Sequence, residues 1–78
     1  MKYEYYSGPY HLNHCVYTNN KNLLKVLPRT FKCLDIDENC PWIMINTSVK
    51  FYYYSDKYTS IATPISSWAA IKLIIKDV

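Results

Sequence analysis

The sequence predicts a mainly β or α+β domain: a small antiparallel sheet or half-open barrel of about five to six strands, with or without one C-terminal helix. Turn-forming clusters cut the chain into strand-length pieces. Nine of the 78 residues are Tyr, a residue that suits the pleated surface of a sheet. Apolar residues make up 50% of the chain and charged ones 19%, a balance that supports a core and argues against disorder. The length holds one small globular domain, residues 1–78.

Residues 2–6 carry three Tyr and end at Ser7-Gly8-Pro9, the only Gly and a strong turn signal, so they read as a first strand. Residues 14–17 and 23–27 flank Thr18-Asn19-Asn20-Lys21-Asn22 and read as a hairpin, because Asn tolerates the left-handed conformation. A helical 23–27 is the alternative, and Pro28 would stop it. In 29–36, Phe31, Cys33 and Asp35 alternate with Lys32, Leu34 and Ile36 before the turn Asp37-Glu38-Asn39. Residues 42–45, apolar throughout and bounded by Pro41 and Asn46, predict a central strand covered on both faces. Residues 49–55 set Val49, Phe51 and Tyr53 against Lys50, Tyr52 and Tyr54, the clearest strand pattern in the chain. A turn at Ser55-Asp56-Lys57 leads to a strand over 58–63 that Pro64 ends. The last segment reads as a helix capped by Ser66 or Ser67, with Trp68, Ala70, Ile71, Ile74, Ile75 and Val78 on one side and Leu73 as the misfit. A strand with Ile74 as the misfit is the competing template.

Nine basic and six acidic residues give a net charge of +3, evenly spread. Arg29 is the only Arg, whereas base-edge readout and bidentate phosphate recognition favour Arg, so sequence-specific duplex binding is disfavoured. The segment 68–75 is interrupted by Lys72 and is far short of a membrane span, and residues 1–6 lack the apolar stretch of a secretion signal. Three cysteines, an odd number, fit reduced thiols better than a disulfide framework. The expectation is a cytoplasmic protein with no membrane partner.

The sharpest constellation for chemistry is His11, His14, Cys15, Cys33 and Cys40, with His11, His14, Cys33 and Cys40 the best zinc set. The six residues between Cys33 and Cys40 exceed the usual knuckle spacing, and His14 and Cys15 as strand neighbours point to opposite faces. We therefore expect these cysteines to be buried hydrophobes and assign no metal, no cofactor and no catalytic residue. Cys15 beside a His is a weak nucleophile signal, lacking an oriented base and an oxyanion site in its context. Asp35, Asp37 and Glu38 read as a solvated turn, and one Gly leaves no phosphate-cradling loop.

The unusual feature is tyrosine. With one face of 49–55 turned inward, Tyr52 and Tyr54 face out beside Lys50, and Lys57 and Tyr58 extend a basic aromatic surface. Such a surface suits a protein interface, because Tyr anchors hot spots. It equally suits stacking of single-stranded bases. Phe, Tyr, Met, Ile, Asn and Lys total 35 residues against nine Gly, Ala, Arg and Pro, a bias typical of AT-rich genomes. The expectation is a non-enzymatic binding protein, in its most concrete form a phage or viral inhibitor of a host defence protein. A single-stranded nucleic acid or nucleotide binder and a small zinc-stabilised module are the alternatives. Burial in so small a domain barely offsets chain entropy, so homo-oligomerisation is a further expected route to stability.

Overall fold

Ile43, Met44 and Ile45 follow one another without a polar interruption, and a strand of that composition needs cover above and below. In the computed structural model, which describes residues 5–7, 14–57 and 62–75, it has that cover. The elements are β1 (Tyr5–Ser7), β2 (Cys15–Thr18), a 3-10 segment (Lys21–Val26), β3 (Lys32–Asp35), β4 (Ile43–Asn46), β5 (Phe51–Tyr54), β6 (Thr63–Pro64) and α1 (Ser67–Ile75). They form one open six-stranded sheet in the order β3-β5-β4-β2-β1-β6. The expected small mainly-β or α+β domain is therefore present, as an unclosed sheet, with one correction of detail. The sheet is mixed, because β3 runs parallel to β5 while the other neighbours are antiparallel.

Side chains alternate across the sheet, so each strand contributes to both faces. One face gathers Val16, Ile43 and Ile45 under Leu23 and Phe31 and under Ala70 and Ile74 of α1. The other gathers Cys15, Tyr17 and Met44, with Tyr6, Trp42, Tyr53 and Ala62 packed against them. Among the described residues no buried side-chain polar atom lacks a hydrogen-bond partner. Buried Thr18 accepts from the Asn20 amide at 3.0 Å, and the Thr47 hydroxyl donates to the His14 carbonyl at 2.7 Å.

The hairpin expected around residues 18–22 does not form. Asn20 instead caps the 3-10 segment, its side chain accepting from the Asn22 amide at 3.0 Å. Leu23 is buried, with Leu24 and Leu27 packed against the same cluster. A short helix thus buries three leucines on one face, where a strand would place Leu23 and Leu24 on opposite sides. Leu27 ends the segment in extended conformation, as a residue before proline prefers.

The C-terminal segment is a helix, as its Ser start predicts. The Ser66 hydroxyl accepts from the Ala69 amide at 3.1 Å, and its carbonyl accepts from the Ala70 amide at 3.1 Å. Its inward stripe differs from the expected one: Ala70, Ile71, Leu73 and Ile74 meet the core, and Trp68 and Ile75 face outward. Leu73 is no misfit, because the stripe is centred on 70, 73 and 74, three and four residues apart. No helix among the described residues is long and apolar enough to cross a membrane.

Two outcomes follow. Ile45→Ala, at a site with no solvent exposure, is expected to cost about 2–5 kcal/mol in urea unfolding. Ser66→Ala is expected to cost about 1 kcal/mol by the same measurement, with the loss confined to the helix cap.

Candidate functional site

Position decides what the tyrosines of β5 can do. β5 lies between β3 and β4, and its side chains meet a core cluster on each face of the sheet. Tyr52 and Tyr54 pack, half-buried, against the cluster beneath α1, and Tyr53 packs against the opposite cluster. The expectation that Val49, Phe51 and Tyr53 form the inward face while Tyr52 and Tyr54 point to solvent is thus corrected. An interior strand of a two-sided sheet has no wholly outward face, and Val49 lies exposed in the turn before the strand.

Cations approach these rings from both ends of β5. Lys21 of the 3-10 segment holds its Nζ 5.5 Å from the centre of the Tyr54 ring, and the Lys50 Nζ lies 5.7 Å from the Phe31 ring. Both separations fall within cation–π range. Lys50 stands at φ 62°, the left-handed region. Its amide donates to the Asn46 carbonyl at 2.9 Å and its carbonyl accepts from the Lys32 amide at 3.0 Å, so this residue closes the β4–β5 hairpin and opens the β3–β5 pairing. Asn46 supports the turn by accepting from the Ser48 and Val49 amides at 3.0 and 3.1 Å. Tyr52 pairs with Cys33 across the strands, and burial, then the neighbouring Cys33 thiol, pushes its phenol upward.

Of the five residues expected to bind a partner, the structure brings Tyr52 and Tyr54 together on one face. Lys50 sits at the Phe31 end of the strand, and Lys57 is exposed in the turn after β5, its amide donating to the Ser55 hydroxyl at 3.2 Å. Tyr58 lies outside the described residues. Lys21 is the functional candidate that sequence reading missed. Nothing local marks it, because its approach to Tyr54 depends on the 3-10 segment folding over the sheet.

On the opposite face Trp42 stacks on Tyr17, ring centres 4.9 Å apart and planes 5° from parallel, and meets Tyr6 edge-on at 5.5 Å. The Tyr17 hydroxyl donates to the Ser55 carbonyl at 2.7 Å. Burial, followed by the fields of Cys40, Asp56 and Tyr53, raises its pKa far above the ordinary phenol value. This phenol is a structural donor, kept neutral by its surroundings.

The cysteines are dispersed and no disulfide links them. Cys15 is fully enclosed and burial pushes its thiol up, opposite to the direction that activates a nucleophile. Cys40 is buried in the turn before β4, with its thiol on the Trp42 carbonyl, whereas Cys33 is exposed on β3. Among the described residues no three His, Cys, Asp or Glu side chains gather to hold a metal ion, and His11 lies outside them. Asp37 accepts from the Asn39 amide at 3.0 Å, and its carbonyl accepts from the Cys40 amide at 3.0 Å, which makes the expected turn.

Titration with Ellman's reagent is expected to find one fast thiol in the native protein, Cys33, and three after denaturation; two or more fast thiols would contradict the burial of Cys15 and Cys40. Comparison with protein-family models, curated proteins and solved structures finds no match to this chain.

Proposed function

We propose that this chain is a non-enzymatic binding protein that acts by occupying the surface of a partner protein. The observation that carries this reading is the pair of cations set against aromatic rings at the two ends of β5, Lys21 at Tyr54 and Lys50 at Phe31. Half-buried Tyr54 beside Lys21, with Lys50 held over the buried Phe31 ring at the other end, combines a fixed apolar anchor with charge, the composition of an interface hot spot. The binding rim comprises Tyr52, Tyr54, Lys50 and Lys21, with Lys57 and Tyr58 continuing it along the chain. An acidic partner surface matches its charge.

In its most concrete form the protein is a phage or viral inhibitor of a host defence protein, working in the host cytoplasm. Residue usage supports this form: 35 residues of Phe, Tyr, Met, Ile, Asn and Lys against nine of Gly, Ala, Arg and Pro. The same cations beside aromatic rings favour a second reading, a single-stranded nucleic acid or nucleotide binder, in which bases stack on the rings and lysines meet phosphates.

Immobilised on a column, the chain is expected to retain a protein from extracts of candidate host cells. Calorimetry with that purified protein should then show affinity falling on the order of tenfold for Lys21→Glu or Tyr54→Ala. Lys21→Glu should leave the unfolding free energy within about 0.5 kcal/mol, as a surface change does. Unchanged affinity in both folded variants removes the rim from the interface. Tight binding of labelled oligodeoxythymidine that weakens steeply with salt establishes the second reading instead.

A further inference from the structure

The open edge of the sheet at β3 carries an arrangement that the binding rim does not use. Among the described residues β3 pairs with β5 on one side only, and all four of its residues are exposed. Leu34 within β3 and Ile36 just past its end are 62% and 64% exposed. The charges around them are ordered. Arg29 lies in the turn before β3 and Lys32 at its start, while Asp35 ends the strand and Asp37 and Glu38 lie in the turn after it, all exposed.

An edge with charges and a bulge is guarded against indiscriminate strand addition. Here the register with β5 shifts between Cys33 and Asp35, an irregularity that any added strand meets, and a foreign strand of arbitrary sequence would also meet unmatched charge. One partner meets matched charge by construction. Turned antiparallel, a second β3 sets its acidic end against the basic end of the first, and the two-fold axis repeats the match.

We propose that two copies of this chain associate through β3, antiparallel about Leu34, as an isologous dimer. In that register Leu34 faces Leu34 of its partner, Lys32 faces the partner's Ile36, and Cys33 faces the partner's Asp35. Arg29 and Lys32 of each copy then lie beside Asp37 and Glu38 of the other. Pairing removes Leu34 and Ile36 from water and closes the assembly at two, because each copy uses the same patch. It also adds stability that a domain of this size gains little of alone. This inference does not rest on the binding rim, and the two stand or fall separately.

Cys33 supplies the probe. Diagonal neighbours on paired strands lie about 7–8 Å apart, so a short bismaleimide should join the two Cys33 thiols and give a covalent dimer that Cys33→Ser abolishes. Sedimentation velocity of the intact chain should show a dimer at high concentration. Lys32→Glu and Glu38→Lys should each weaken it, on the order of tenfold at low salt. Mixing the two variants should restore association, since in the mixed pair both symmetry-related contacts again join opposite charges; circular dichroism confirms that each variant is folded. A monomer at every concentration, bare or with another protein's strand on β3, overturns the proposal. So does a dimer whose affinity neither charge variant changes, or one that the thiol reagent does not trap.

Discussion

β2 and β4 are enclosed on both faces, and the described chain has one nine-residue helix to lay over them. Most of the structure answers that imbalance. The helix and the 3-10 segment cover one side, where Ile43, Ile45 and Val16 require aliphatic neighbours. The other side is covered by rings that the sheet itself supplies, Trp42 lying flat on Tyr17 with Tyr6 against its edge. Trp42 is also fixed through its backbone, whose carbonyl takes the Ser55 amide at 3.0 Å and the Cys40 thiol. A residue just outside β4 therefore pins the end of β5, the turn after β3 and the ring layer together. Large rings suit this duty, since each encloses much area at the cost of few torsions.

The strand order adds a second dependence. β3 precedes β4 in the chain, yet β5 lies between them. Among the described residues β3 has no sheet neighbour but β5, so its place in the sheet is settled only after the β4–β5 hairpin has closed. The turn at 47–50 thereby controls a strand that comes before it in sequence. Contacts of this kind, between segments separated by an intervening element, form late because chain closure precedes their reward.

What was readable in the sequence divides along the same line. The apolar run at 42–45, the turn at Asp37 and the serine before the helix are local signals, and each has its expected structural counterpart; Pro64, expected to end a strand over 58–63, instead lies within β6, and residues 58–61 lie outside the described residues. The segment 23–27 reads as a hairpin arm beside an Asn-rich turn, with a short helix as the alternative, and only the packing of its leucines against one cluster separates the two. Alternation in 49–55 correctly marked a strand but could not say which face is inner, since that depends on which strands flank β5. The parallel pairing of β3 with β5 and the placing of Lys21 on Tyr54 arise from topology, which no local pattern encodes. The rim was therefore half legible: its tyrosines were visible, and the cation completing it was not.

Lys50 is the one non-glycine residue with positive φ among those described. Holding a side chain with a Cβ in that conformation costs roughly 1–2 kcal/mol, a penalty that glycine escapes and asparagine reduces. The chain nonetheless keeps a lysine there, with its ammonium over Phe31. Position 50 thus separates two selection pressures at a single codon. A library sorted for protease resistance would drift toward glycine or asparagine, while one sorted for the partner binding proposed above would hold the lysine. The residue that such sorting retains reports whether backbone tension at this hairpin is a tolerated defect or the means of aiming a charge.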